Sequence, residues 1–328
     1  MKTGIQSARA AKAAFADSAV YHDGKMIKDV VFFTNVSYAN ASEELRTAYP
    51  PVTARIPIYH DVYAEKPSRE LWRETREACT LIGHQDATPQ FRELYAFARD
   101  LEDELDNENR IIWDRDERLQ VCLGLSRLIH PTNVSFEYSA RFFVEDGNSR
   151  RVVPGPVMGF GGKAWISRAD GRNWLSIDEI IELASVARAF YTPGSQLPTR
   201  IKQALWYLEY AFRTELLDVR WPLVCIGLES LIHTEFGHST AQFSRRVSML
   251  ADETGISDFT VEKTKEVYET RSALAHGKLF RDLDAYNLDI YEKAEDTLRL
   301  VIKKAILEPS YGQRFASIQS VRDAYSIR

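Results

Sequence analysis

The sequence has few cysteines and no long apolar segment, and both absences limit what the chain can be. Its three cysteines, Cys79, Cys122 and Cys225, are odd in number and widely spaced. This pattern argues against a disulfide framework and fits a reducing compartment. No apolar run approaches the roughly 18 residues that a membrane-spanning helix needs. Residues 1–19 also lack the apolar core of a signal peptide. We therefore expect a cytoplasmic protein that does not contact a membrane.

The chain also has no excess of positively charged residues. The formal net charge is −5, with 45% hydrophobic and 27% charged residues, an ordinary balance for a soluble globular protein. Proteins that coat nucleic acid non-specifically are usually basic. The composition therefore counts against a general nucleic-acid coat. It leaves open a selective enzyme whose positive charge is gathered at one site.

Motifs for metal, nucleotide and covalent chemistry are absent or incomplete. His233 and His238 flank Glu235, but this spacing does not place two ligands on one helix face as His-Glu-x-x-His does, and Gly237 interrupts it. The glycine-rich stretch 155–163 lacks the first glycine and the final Ser or Thr of a phosphate-binding loop. No serine or cysteine stands beside an evident base. We expect no metal and no cofactor.

The clearest boundary in the chain is the segment 192–199, where two prolines and a glycine lie within eight positions. We divide the chain there. Residues 1–191 form a predicted α+β region with a sensing or scaffold role. Residues 200–305 form a predicted helical bundle, and residues 306–328 are a C-terminal extension. The predicted fold class is mainly α.

The N-terminal region mixes helix and strand signals. Thr88-Pro89 favours the start of a helix, and apolar residues then follow at helical spacing through Ala98 to Leu105. Residues 119–129 predict a buried helix that ends before Pro131. Alternating aromatic and β-branched residues predict a strand over 134–144 and a returning strand over 151–153. Ser176 begins a capping box that predicts another helix.

The C-terminal region reads as five helices joined by short loops, which predicts an antiparallel bundle. The first has an apolar face from Ile201 to Leu216. Pro222 is the expected start of the second, and Gly237 its end. The third carries Phe243, Val247 and Leu250 and stops near Gly255. The fourth is capped by Ser257 or Thr260 and runs to His276-Gly277. The fifth carries Leu288, Tyr291, Leu298, Val301 and Ile302.

The spacing Arg-x4-His occurs twice. Arg55 and His60 form one pair, but Pro57 between them argues against a helix there. Arg271 and His276 form the other, at the predicted end of the fourth helix. An arginine can hold a phosphate with a planar fork of donors, and a histidine can pass a proton near neutral pH. Such a pair could cut RNA, because RNA supplies its own nucleophile, the 2′-hydroxyl.

A purely structural role for this pair stays open. Histidine at a helix C-terminus is a favourable cap in its own right. Arg271 could pair with Glu229, Glu266 or Glu269. Residues five apart also lie about 140° around a helix, so one subunit does not close a site by itself. Two copies related by a two-fold axis would bring two of each residue together.

Four segments of the C-terminal region occur in an order that resembles a known family. They are 204–209 (Ala-Leu-Trp-Tyr-Leu-Glu), 220–231 (Arg-Trp-Pro-Leu-Val-Cys-Ile-Gly-Leu-Glu-Ser-Leu), 243–250 (Phe-Ser-Arg-Arg-Val-Ser-Met-Leu) and 268–277 (Tyr-Glu-Thr-Arg-Ser-Ala-Leu-Ala-His-Gly). Together they resemble the HEPN superfamily, especially the HEPN-like domains of prokaryotic defence proteins. The last segment is the most specific.

The resemblance implies a homodimer that cleaves RNA without metal, in a defence or toxin role. Arg271 and His276 then carry the catalysis. Ser272 stands where many active members have Asn, Asp or His. We take Ser272, Glu229, Arg245 and Arg246 as supporting residues. An inactive HEPN-like module for dimerisation or nucleotide binding, or a regulatory partner subunit, is the alternative.

Overall fold

The structure is a computed structural model of the 328-residue chain. It describes residues 28–34, 42–59, 62–66, 73–74, 77, 96–100, 111–132, 136–144, 150–154, 172, 174–192, 197–214, 216–235, 237–278 and 287–326. The chain divides into two compact units. One comprises residues 1–119 and 136–158, and the other comprises residues 120–135 and 159–328. We describe each unit by itself.

The first unit contains a six-stranded antiparallel sheet. Its strands are β1 (Lys28–Thr34), β2 (Ile56–Tyr59), β3 (Val62–Glu65), β4 (Ala96–Asp100), β5 (Phe136–Val144) and β6 (Arg150–Pro154), in the spatial order β2-β3-β4-β1-β5-β6. A short helix, α1 (Glu43–Ala48), follows β1 and begins where Ser42 accepts a hydrogen bond from the backbone N–H of Leu45. The strands predicted over 134–144 and 151–153 are confirmed as the paired β5 and β6.

The helical spacing predicted through Ala98 is wrong at that residue. Ala98 lies in β4, which pairs with β3 on one side and β1 on the other. A strand with partners on both edges satisfies its backbone groups through the sheet, and this pairing overrides local helix propensity. The predicted helix start at Thr88-Pro89 lies outside the described residues.

The second unit is helical. The helices of the described chain that follow β4 are α2 (Ile111–Ile129), α3 (Ile177–Tyr191), α4 (Thr199–Phe212), α5 (Leu217–Leu231), α6 (Ser239–Glu253), α7 (Val261–Ala275), α8 (Leu288–Leu307), α9 (Pro309–Gly312) and α10 (Ile318–Ala324). The boundary between the two units falls inside α2. The chain is therefore mainly helical, with an antiparallel sheet, as the composition and periodicity predict.

Helix α8 lies at the centre of the second unit. It packs against α3, α4, α5, α6 and α7, and most of its circumference is buried. Gly227 of α5 allows one close approach, since a Cβ there would lie 2.6 Å from Cδ2 of Leu298 on α8. The buried Arg220 of α5 also donates a hydrogen bond to Glu295 of α8, at 3.0 Å.

The predicted capping box at the start of α3 is confirmed. Ser176 accepts a hydrogen bond from the backbone N–H of Glu179, and the Glu179 carboxylate accepts one from the backbone N–H of Ser176. That carboxylate also forms an ion pair with the buried Arg172, with Nη2 to Oε1 at 2.8 Å. Nδ1 of His130 accepts from Arg172 at 2.9 Å. These bonds tie the end of α2 to the start of α3.

Two details of the C-terminal helices differ from prediction. Helix α5 begins at Leu217, so Pro222 lies inside it rather than at its start. The burial of Arg220 and Trp221 explains this, because both must be helical to reach their partners on α8 and α7. Leu216, predicted on the apolar face of the first helix, is 67% exposed, since α4 ends at Phe212.

The unit boundaries also differ from the predicted ones at 191 and 306. Helix α3 belongs to the helical unit. The predicted linker lies partly outside the described residues, which resume at Leu197. Beyond α8, the chain packs Tyr311, Phe315, Val321 and Tyr325 into the core of the same unit. None of the described helices has the length and apolar character that crossing a membrane requires.

Candidate functional site

The predicted end of the fourth helix is confirmed in detail. Helix α7 ends at Ala275, His276 is its C-cap, and Gly277 adopts a φ of +87°. The backbone N–H of Gly277 donates to the carbonyl of Leu274 at 3.0 Å, and that of Lys278 donates to Ala273 at 3.1 Å. These two bonds define a Schellman motif, which glycine favours because it has no Cβ. The motif fixes the backbone on which His276 stands.

The side chain of His276 is exposed to solvent at this helix end. Among the described residues its side chain makes no hydrogen bond or ion pair. A histidine in this position is free to meet a ligand.

Arg271 points toward α5. Its Nη2 donates to Oε2 of Glu229 at 3.3 Å, and the two side chains are 27% and 23% exposed. Of the three carboxylates considered as structural partners for Arg271, Glu229 is the one that pairs. Within the described part of the chain, the Nε and Nη1 donors of Arg271 form no hydrogen bond, so part of the guanidinium fork faces solvent.

Two buried side chains of α5 hold that helix against α7 beneath the Arg271–Glu229 ion pair. Nε1 of Trp221 donates to the carbonyl of Val267 at 2.9 Å, and Sγ of Cys225 lies 3.9 Å from the same oxygen. Burial raises the pKa of the Cys225 thiol, and the charge of Glu229 raises it further. Cys225 is therefore a packed, protonated side chain and not a nucleophile.

Tyr268 completes the group around Arg271. Its ring lies with its centroid 4.8 Å from that of Phe243 on α6 and 5.7 Å from the guanidinium carbon of Arg271. Burial raises the pKa of Tyr268, and the charge of Glu229 adds to the increase. The neutral phenol therefore persists at neutral pH and serves as a hydrogen-bond donor. We missed Tyr268 as a site residue, although its position three residues before Arg271 places it on the same helix face.

Burial also raises the pKa of Glu229, while the charge of Arg271 and hydrogen bonding by Tyr268 oppose that increase. Glu229 is thus a partly desolvated carboxylate, and the charge of Arg271 is the largest influence that favours its ionised form. It limits the positive field that Arg271 offers to a ligand. A phosphate arriving at Arg271 would have to share the guanidinium with this carboxylate.

The remaining predicted site residues lie in different environments and do not form one group. Ser272 follows Arg271 on α7 and is half-buried. Arg245 is exposed on α6. Arg246 is 5% exposed, and its Nε donates to the carbonyl of Tyr325 at 3.1 Å. Arg246 is therefore a buried structural residue bound to the end of α10, and not one of the residues around Arg271 as the sequence predicted.

The second Arg-x4-His pair has no helical context. Arg55 immediately precedes β2, and its guanidinium carbon lies 3.5 Å from the ring centroid of Tyr63. His60 lies outside the described residues. The expectation that Pro57 excludes a helix here is confirmed, since Pro57 is part of β2.

Among the residues that the structure describes, no group of three or more His, Cys, Asp or Glu side chains is arranged to hold a metal ion. The glycine-rich stretch 155–163 lies outside the described residues. In comparisons with known proteins, no family model, no curated protein and no solved structure matches this chain.

Proposed function

We propose that the protein is a metal-independent endoribonuclease with an antiparallel, HEPN-like bundle. One observation carries this proposal. An exposed histidine stands on a rigid helix end, and an arginine with uncommitted donors lies just before it on the same helix. The pair combines an imidazole, which can donate or accept a proton, with a fixed cation, and cleavage by the 2′-hydroxyl of RNA requires both functions.

The reaction is a transesterification within the RNA. The 2′-oxygen attacks the adjacent phosphorus and forms a new P–O bond, while its proton passes to a base. The bond from phosphorus to the 5′-oxygen breaks, and that oxygen takes a proton from an acid. The products are a 2′,3′-cyclic phosphate and a 5′-hydroxyl. His276 acts as acid or base, and Arg271 stabilises the additional charge on the phosphorane.

Two copies of the chain complete the site in this proposal. No hydrogen bond joins the side chains of Arg271 and His276 in the described part of one copy, and positions five apart lie about 140° around a helix. A two-fold homodimer places two histidines in one cleft, so that one serves as base and the other as acid. A defence or toxin role follows from the HEPN resemblance. The N-terminal region, predicted from sequence over 1–191 to have a sensing or scaffold role, would then respond to a trigger or hold the bundle in place.

One observation favours the alternative, an inactive HEPN-like module for dimerisation or nucleotide binding, or a regulatory partner subunit. Glu229 pairs with Arg271 and neutralises the cation that a phosphate would meet. Ser272 also replaces the Asn, Asp or His found in many active members. In this alternative, the Arg271–Glu229 pair joins α5 to α7 and has no further role.

The decisive experiment incubates the purified protein with total RNA in EDTA. We expect cleavage by the wild type and by His238→Ala, a matched control at another exposed histidine next to a helix end. Arg271→Ala and His276→Ala should abolish cleavage. A substrate with a 2′-deoxy group at the scissile position should resist, and cutting of that substrate would refute the mechanism. If no trigger is present in vitro, toxicity on overexpression that both substitutions relieve distinguishes a silent nuclease from an inactive module.

A further inference from the structure

Three arginines from separate parts of the helical unit converge near His233, just beyond the end of α5. They are Arg200 of α4, Arg246 of α6 and Arg322 of α10, and together with His233 we call them the arginine cluster. Nη1 of Arg200 donates to the carbonyls of Ser230 at 2.9 Å and Ile232 at 3.3 Å. These bonds place Arg200 beside the backbone that leads into His233.

Arg322 forms the exposed side of the cluster. Its Nη2 donates to Oε1 of Glu235 at 2.7 Å and to Nε2 of His233 at 3.3 Å. The side chains of Arg322 and Glu235 are 42% and 47% exposed, so solvent reaches this side. His233 accepts from an arginine, which requires that its Nε2 carries no proton.

Arg246 forms the buried side. Its residue exposure is 5%, and Nε donates to the carbonyl of Tyr325. Nη1 of Arg246 and Nε of Arg322 are both buried and have no hydrogen-bond partner among the described residues. A buried donor without a partner is unfavourable, and more so when it is charged, so two in neighbouring guanidinium groups call for an acceptor.

Positive charges outnumber negative charges around His233. Three guanidinium groups face one carboxylate, that of Glu235. Burial lowers the pKa of His233, and the charges of Arg322, Arg200 and Arg246 lower it further, while Glu235 opposes them. The imidazole is thus held neutral by a positive environment. Such a concentration of guanidinium forks attracts a tetrahedral oxyanion, because each fork can donate two parallel hydrogen bonds.

We propose that the arginine cluster binds the phosphate group of a small phosphorylated molecule. The phosphate oxygens accept from the uncommitted donors of Arg246 and Arg322, and the protonation of His233 adjusts to the bound charge. This inference does not depend on RNA cleavage at Arg271. The competing explanation is that the same residues merely fasten α10 to α5 through the Arg322–Glu235 pair.

Two substitutions separate these explanations, because both break the same ion pair. Arg322→Gln removes a phosphate donor and should weaken binding of inorganic phosphate about tenfold or more. Glu235→Gln removes a competing anion and should tighten it by about threefold. A merely structural pair would give no such opposite effects. Lys202→Gln, at an exposed position near Arg200 on α4, carries the same charge change and should alter affinity less than about twofold.

The measurement combines calorimetry with NMR of the His233 imidazole, assigned with His233→Asn. Phosphate should raise the pKa of His233, since a nearby anion stabilises its charged form. Adenosine monophosphate with adenosine as its control distinguishes a phosphate ester from free phosphate. Binding of either phosphate probe that raises the pKa of His233 and weakens in Arg322→Gln supports the proposal. Absence of saturable phosphate and nucleotide binding, adenosine binding equal to that of the nucleotide, or equal losses in Arg322→Gln and Lys202→Gln would overturn it.

Discussion

Nη2 of Arg271 lies 3.3 Å from Oε2 of Glu229, so the proposed phosphate-binding residue already has an anionic partner in the absence of RNA. The substitution Arg271→Lys tests what the guanidinium contributes beyond its charge. Lysine retains the positive charge and can still pair with Glu229, but it lacks the planar fork. We expect RNA cleavage to fall by about tenfold or more, while the free energy of unfolding changes by less than about 1 kcal/mol. Cleavage at the wild-type rate would show that the fork is not used.

The raised pKa of Glu229 predicts a specific pH dependence of stability. A carboxyl whose folded pKa is above its unfolded value takes up a proton on folding. Its stabilising contribution is therefore complete below the usual value of 4.5 and is lost as the pH rises through the raised pKa. Glu229→Gln should lack this loss. Urea unfolding at closely spaced pH values above 4.5 should show the wild type losing stability relative to the variant, and parallel curves would contradict the shift.

The lowered pKa of Glu179 predicts the opposite pH dependence of stability. Burial alone raises its pKa, but hydrogen bonds from Arg172 and from the backbone of Ser176 lower it overall below the usual value of 4.5. Its stabilising contribution is present above that value and is lost as the pH falls through the lowered pKa. Glu179→Ala should cost about 3 kcal/mol or more near neutral pH, because it leaves the buried Arg172 charge without its carboxylate. This cost should shrink in acid, and a constant cost across pH would argue against the ion pair.

Gly277 and Gly255 form a matched pair for the helix-end site. They have φ values of +87° and +86°, and a Cβ at either would meet nothing within 4 Å. Alanine at each position should therefore cost a similar amount, about 1–2 kcal/mol, through backbone strain alone. Only Gly277 follows His276, so only Gly277→Ala should impair RNA cleavage beyond its effect on stability. Equal effects of both variants on cleavage would place the active site elsewhere.

At position 312 it is the lack of space for a side chain, and not the backbone angles, that favours glycine. A Cβ there would lie 2.9 Å from the backbone carbonyl oxygen of Ala305 on α8, and a backbone atom cannot move aside as a side chain can. Gly312→Ala should destabilise the protein by about 1–3 kcal/mol. Ser310→Ala, at an exposed position of the same short helix, is the control and should change stability by less than about 0.5 kcal/mol. Thermal unfolding of both variants measures the difference.

The features that could be predicted from sequence are those set by local chemistry. The capping box at Ser176 and the helix stop at Gly277 depend on residues within one turn of each other, so the local sequence contains all the information needed. The start of α5 could not be found this way. Pro222 resembles a first helical residue, but the burial of Arg220 and Trp221 against distant helices extends the helix backward.

The candidate site was also predictable only where local sequence determines it. The positions of Arg271 and His276 near the end of α7 could be predicted from the sequence. Glu229 was one of the three carboxylates that the sequence allowed as partners of Arg271. The burial of Arg246 could not be anticipated, because its partner is the carbonyl of Tyr325, 79 residues away. Strand β4 was missed for a related reason, since its pairing partners lie in segments far along the chain.

The central position of α8 has a consequence for how this protein emerges from the ribosome. Helices α3 to α7 all precede α8 in the chain, and each buries part of its apolar face against it. Until α8 has been synthesised, those faces remain open to water and to other nascent chains. Folding of the helical unit should therefore wait until α8 has left the ribosome. We expect ribosome-bound chains that stop before Leu288 to recruit chaperones and to be cut readily by proteases, and chains that extend past Tyr325 to resist both.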